Sequence, residues 1–197
     1  MSRQSQLSSA ELMFVAGEVK RLVLPDDTAV EVRQLERKDR PGLAAAAARL
    51  SNETMYLRFA SPKTRMTERD LDLLTDIDHH GREALIAVDP WTRRGVAVAR
   101  YIQLAQEPGV ADVAVTVDDA WQGRGLGSAL LALLIQRAAA EGLLALRGTV
   151  LAENARSLAM LRRAGFRPRS STGSLQELEL PLSQTWPAPS EALSRQR

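Results

Sequence analysis

A mixed α/β domain is the fold class this sequence predicts, and three observations predict it. Short runs of valine and alanine alternating with polar residues recur between segments of helical periodicity. The longest helical segment, starting at about Gly125, follows a strand-like run at 110 to 117 through a turn holding three glycines. Ser, Thr or Asp stands ahead of the earlier helical runs, where a side-chain oxygen can take up an unpaired backbone N–H.

Taken in order, residues 1 to 20 are rich in Ser and Gln and read as a flexible extension or short helix. Residues 183 to 197 read as a tail, which leaves 21 to 182 as one domain. The alternation from Thr28 to Arg33 is a strand, and the alanine-rich run from Asp39 to Leu50 is a helix with Asp39 as cap. Helices are expected over 51 to 59 and 67 to 75, each opened by Ser or Thr with an acid close behind. Strands follow at 83 to 88, 95 to 104 and 110 to 117, divided by turns at Asp89-Pro90 and Pro108-Gly109. In the helix after the glycine turn, Leu126, Leu130, Leu133 and Leu134 fall on one face, and Glu141-Gly142 ends it. A strand at 144 to 150, a helix led by Asn154 and a closing pair of strands at 166 to 170 and 174 to 181 complete the reading.

Composition excludes several classes of function. There is no cysteine, so disulfides, thiolate metal sites and an S-acyl intermediate are absent. The 26 basic residues nearly balance 24 acidic ones, a net charge of +2, which does not predict nucleic-acid binding. No segment reaches the roughly 18 apolar residues of a membrane span and the first residues do not form a signal peptide, so a cytoplasmic protein with no membrane partner is expected. His79-His80 supplies two ligands that point apart on an extended chain, and no metal is assigned. No G-x-S-x-G element offers a serine nucleophile.

The turn Gln122-Gly123-Arg124-Gly125-Leu126-Gly127 carries the chemistry. Its glycines let backbone approach a ligand closely, and the helix beginning there aims unpaired N–H groups and the positive end of its dipole into the turn, which suits a phosphate anion. No lysine is present, which excludes a nucleotide P-loop. The glycine spacing and mid-chain position disfavour a dinucleotide site.

Gln122, Gly125 and Gly127 satisfy the Q/R-x-x-G-x-G/A pattern, and the segment from Asn154 to Gly165-Phe166 follows at a matching distance. In both, the chain resembles the Gcn5-related N-acetyltransferases (GNAT). Residues 51 to 88 are similar to a segment of bacterial protein-lysine acetyltransferases. The resemblance implies the GNAT fold, a mostly antiparallel sheet whose central strands splay around acetyl-CoA. It places Gln122, Gly123, Arg124, Gly125, Leu126, Gly127 and Ser128 on the pyrophosphate, Val115 and Val117 on the pantetheine arm by main chain, and Asn154 on the same arm or merely capping its helix.

In that family a glutamate before the cofactor loop acts as base. Here the place holds Asp112, the implied catalytic residue, working directly or through a water, with Glu53 and Asp78 as weaker alternates. The family's tyrosine acid has Leu161 in its place. Trp121 reads as a packing residue or a shield for the loop. Arg162, Arg163, Arg167 and Arg169 read as a solvated patch or a contact for the ribose phosphate. The implied reaction is direct transfer of acetyl to an amine, a protein lysine being the expected acceptor and a small amine, or a catalytically silent acyl-CoA sensor, the alternatives. A monomer or a homodimer fits.

Overall fold

A computed structural model describes residues 18–61 and 65–182. The expectations for the first 17 residues and for 183–197 lie outside the described residues. Eight strands form one sheet: β1 (Lys20–Val23), β2 (Ala29–Gln34), β3 (Arg82–Val88), β4 (Gly95–Gln103), β5 (Val110–Val117), β6 (Ala145–Leu151), β7 (Arg167–Thr172) and β8 (Leu175–Pro181), in the spatial order β1-β2-β3-β4-β5-β6-β8-β7. Every pairing is antiparallel except β5 with β6.

Helices α1 (Arg40–Ala47), α2 (Asn52–Phe59) and α3 (Glu68–Thr75) precede β3, whereas α4 (Leu126–Ala140) and α5 (Ala155–Arg163) flank β6. The expected caps form: Ser51 accepts from the Thr54 N–H, and Thr67 and Asp70 make a reciprocal capping box. The helix expected over 39 to 50 is shorter. Asp39 sits in a 3-10 turn, Arg37–Asp39, where its carboxylate takes two bonds from Arg33 and one from the Glu36 N–H.

Strand β1 is an addition to the reading, and it starts one residue ahead of the expected domain boundary. Its four residues are too few for alternation to stand out, and pairing with β2 supplies what local pattern does not.

Two apolar clusters cover the two faces. Leu126, Leu130, Leu133 and Leu134 are all buried under one face with Leu85, Ala99, Tyr101 and Leu146, as the helical stripe predicts. Leu131, Ile135 and Ala138 are buried too, so the stripe widens to most of the helix. The other face packs Ala84, Ile86, Val88 and Val98 beneath Leu43 of α1 and Leu71 of α3. Period-2 alternation sends the side chains of Val113, Val115 and Val117 toward α4, and those of Asp112, Ala114 and Thr116 toward the α1–α3 face.

Candidate active site

The sheet opens at its middle. Strands β5 and β6 pair only at Val110 with Ala145, Ala111 with Leu146 and Asp112 with Arg147. Beyond Asp112 the two part, so residues 113–117 pair with β4 alone and 148–151 with β8 alone. Two main-chain edges thereby face one another across a wedge, ready to pair with an extended amide-bearing ligand.

At the open end lies the glycine turn. Backbone N–H groups of residues 123–128 make no hydrogen bond to protein groups among the described residues, and the first bond of α4 runs from Ala129 N–H to the Gly125 carbonyl. Gly125 has φ +85° and Gly123 φ +76°, left-handed values that an L side chain resists, and these bend the chain so that successive amides converge. This is an anion cradle of the kind that precedes a helix.

Gln122 fixes the cradle's position. Its Nε2 donates to the Val117 carbonyl (3.1 Å), Thr54 Oγ1 (3.1 Å) and Asp119 Oδ1 (3.3 Å), and its Oε1 accepts from Arg156 (3.1 Å). One amide side chain thus ties the turn to β5, α2 and α5. Arg124 is turned away: its Nε donates to Asp26 (2.6 Å), its guanidinium also bonds Thr28, and it stacks over Trp121 at 4.5 Å. Trp121 therefore supports the loop's arginine.

Along the wedge, a Cβ on Gly127 would meet Met160 Sδ and Val117 Cγ2 at 3.4 Å, so glycine keeps this wall thin. Asn154 does cap α5, its Oδ1 accepting the Ser157 N–H at 3.1 Å, and its Nδ2 remains without a partner among the described residues. Leu161 is buried, and a Cβ on Gly148 would lie 2.9 Å from its Cδ1, so it fills the corner where the wedge closes. It can donate no proton.

Asp112 stands at that corner. The protein around its solvent-facing carboxyl raises its pKa mainly by desolvation. Arg147 opposes the rise, and Glu177 and Glu107 add to it. Arg147 is gripped by both oxygens of Glu107 (2.7 Å each) and lies 3.2 Å from Glu179. Arg169, from the arginine patch, bonds Glu177 at 2.7 Å and approaches Glu179 at 3.3 Å, which occupies it away from any phosphate. The four carboxylates of Asp112, Glu107, Glu177 and Glu179 meet three arginines here, Arg147, Arg169 and, opposite Glu179 in register, Arg167, which leaves this rim one negative charge in excess.

The other candidates sit elsewhere. Asp78 closes the turn before β3 by accepting from the His80 and Arg82 N–H groups. Glu53 lies exposed in the first turn of α2, near Tyr56 and Glu153. His79 and His80 pair with separate acids, Glu83 and Glu141.

Two features escaped the sequence reading. Asp119, in a short 3-10 turn (Asp119–Trp121), accepts from Ser51 N–H (2.8 Å), Ser51 Oγ (2.9 Å) and Thr54 Oγ1 (2.6 Å), anchoring α2 beside the cradle. The Asp118-Asp119 pair ahead of the glycines was the visible signal. The glutamate rim had none, since Glu107, Glu177 and Glu179 meet only through sheet register.

A wedge lined by free strand edges, with an amide cradle at its mouth and a carboxylate at its apex, has the shape an acyltransferase needs to take up an extended thioester ending in a pyrophosphate. The acetyltransferase (GNAT) family profile matches residues 47–166, and the chain belongs to that family. Acetyltransferase PA5475 of Pseudomonas aeruginosa is 33% identical over 141 residues, covering 70% of this chain and 75% of that one. Acetyltransferase Pat of Mycolicibacterium smegmatis is 31% identical over 58% of this chain, which spans only 34% of that relative's length. The solved GNAT domain of S. lividans PAT superposes with a TM-score of 0.79 at 28% identity, covering 86% of this chain and 100% of that one. The chain is thus an N-acetyltransferase with acetyl-CoA as co-substrate, and the free amides and thin Gly127 wall suit a pantetheine diphosphate.

Proposed function

We propose that this protein acetylates lysine side chains of cytoplasmic proteins, by direct attack of the amine on the thioester within a ternary complex. The observation that carries this reading is the acidic corner at the apex of the wedge. A lysine ammonium is neutral only about once in 2,500 molecules at pH 7, so it must be drawn in as a cation and then relieved of a proton. Glu107, Glu177 and Glu179 supply the attraction. Asp112, its proton affinity raised by desolvation, takes the proton directly or through one water. The similarity of residues 51 to 88 to bacterial protein-lysine acetyltransferases supports a protein acceptor.

In this mechanism the amides of residues 123–128 hold the diphosphate, with Gln122, Gly125 and Gly127 shaping the cradle and Leu126 and Ser128 contributing N–H groups. Main chain at Val115 and Val117 pairs with the pantetheine arm, and a β5 N–H meets the developing oxyanion. The Asn154 Nδ2 donates to the same arm. Acetyl-CoA supplies the activated acetyl group. Its thiolate needs little help to depart, since a thiol pKa of about 8.5 makes it a good leaving group, and this accommodates Leu161.

Incubation with acetyl-CoA and lysine-bearing proteins, read by free-thiol release and by mass spectrometry of the acceptor, tests the proposal. Acetyl-lysine forming in wild type at rates well above an Asp112→Asn variant is the expected result. Acetylation confined to small amines would overturn the protein-lysine assignment.

A further inference from the structure

On the sheet face opposite α4 there is a cavity of about 70 Å³ beneath α1, α2 and α3. Its walls are largely apolar, with Leu43, Met55, Leu74 and Val98 among them, yet two arginines reach it, Arg58 from α2 and Arg100 from β4. Arg100 is only 5% exposed. Its Nη atoms donate to the carbonyls of Leu74 and Leu73 at 3.3 and 3.4 Å, the outer limit of a hydrogen bond, and its Nε has no partner among the described residues. The half-buried Arg58 stacks on Phe59 at 4.8 Å and makes no hydrogen bond or ion pair among the described residues.

Among the described residues no carboxylate answers these charges. Asp118 on the cavity wall is taken by Arg49 at 3.1 Å, and the charged groups acting on Arg100 are Arg58 and Arg82, both cationic. Desolvation, with those two neighbours, pulls the Arg100 pKa down to about 10. Burying a cation without a counter-ion is costly, and two like charges at one cavity compound the cost. The negative end of α3 offsets part of it through the Leu73 and Leu74 carbonyls. A helix cap, however, needs neither Arg58 nor the outstanding Nε.

We infer that this cavity binds a small carboxylic acid with an apolar body, its carboxylate bridging Arg58 and Arg100. A carboxylate matches the fork of a guanidinium and brings a single negative charge, whereas a phosphate dianion would require more donors than these apolar walls offer. The ligand would be a free small acid. Ala114 and Thr116 of β5 line the same cavity, and Asp112 follows on the same sheet face two residues along, about 7 Å away. An occupant therefore lies beside the path to the wedge apex. Its binding requires neither acetyl-CoA nor turnover, so the site stands or falls apart from the proposed reaction.

Calorimetric titration of the full chain without coenzyme, using hexanoate, phenylacetate and the neutral isostere hexanamide, tests this. The acids should bind saturably and hexanamide about tenfold or more weakly. Arg100→Leu should weaken hexanoate by about tenfold or more while leaving the melting temperature unchanged or higher, because an unpaired buried charge is gone. Arg58→Leu, on a different element and less buried, should weaken it independently. The proposal is overturned if no acid gives saturable heat, if hexanamide binds equally, or if neither variant alters affinity. Binding by acidic peptides alone would overturn the small-ligand assignment.

Discussion

The two ends of the wedge are built by opposite means. At its mouth the groups left open are main-chain amides of residues 123–128, and the side chains of Gln122 and Arg124 are bonded elsewhere and brace the turn. At its apex the groups brought together are carboxylates from β5, β6's neighbour β8 and the turn before β5. Apart from proline, which removes the N–H, a substitution leaves a backbone donor in place and can only displace it, so the mouth is sensitive to conformation. Side-chain acids can be deleted singly, so the apex is sensitive to identity. Under the proposed function, the coenzyme half of the reaction is thus set by geometry and the acceptor half by charge.

The largest effect should come from the apex. Asp112→Asn keeps the shape and removes the proposed base, and kcat/KM for the proposed lysine acceptor should fall about 10²- to 10⁴-fold with acetyl-CoA affinity retained. Since desolvation raises the Asp112 pKa, the wild-type rate should decline as pH falls through a value above the ordinary 3.9 or so. The variant should lack that limb. An unchanged rate would remove Asp112 as base.

Next comes the mouth. Gly125→Val forces a β-branched residue into φ +85° and puts a Cβ 3.4 Å from Pro25 Cδ. Strain of about 1–3 kcal/mol should lower the melting temperature by several degrees, and twisted amides should weaken acetyl-CoA by about tenfold or more. Calorimetry should find this loss even where Asp112→Asn shows none, which separates the two ends.

This contrast also explains what could be read from the chain. The mouth is local: three glycines, a glutamine and a leucine stripe lie within 13 residues, from Gln122 to Leu134, and their spacing is their geometry. Helix caps at Ser51 and Thr67 were legible for the same reason. Asp112 was reached through its place before the loop, but its companions Glu107, Glu177 and Glu179 are up to 72 positions apart in number and meet only because β6 pairs with β8. Arg100 read as one polar residue in an apolar strand. That it has no counter-ion among the described residues depends on α2 and α3 folding over it. Strand β1 had too few residues to show a period.

Asp119 belongs to the mouth, where it holds α2 against the cradle. Removing it in Asp119→Ala frees the Ser51 and Thr54 donors, and since the site is exposed the cost should be about 1 kcal/mol, or roughly 2–4 °C in melting temperature. Burial resists its charge, but bonds from Thr54 and Ser51 win, so its pKa is lowered. A carboxylate with a depressed folded pKa stabilises above its unfolded value and loses that contribution as pH falls through the folded one. The deficit of the variant should therefore be full at neutral pH and shrink in strong acid.

Arg124 offers the smallest and sharpest test. A positive side chain within a phosphate-binding turn invites the view that it grips the diphosphate, and Arg124→Gln would then weaken acetyl-CoA by about tenfold or more. Its guanidinium is instead committed to Asp26, Thr28 and the face of Trp121. Exposed pairs of this kind contribute about 0–1 kcal/mol, and the backbone amides do not depend on them. The expected result is a shift of less than about threefold in affinity and of no more than a few degrees in melting temperature. A larger loss of affinity, steepened at low salt, would mean that Arg124 leaves Asp26 when coenzyme arrives, and that the mouth too relies on side-chain charge.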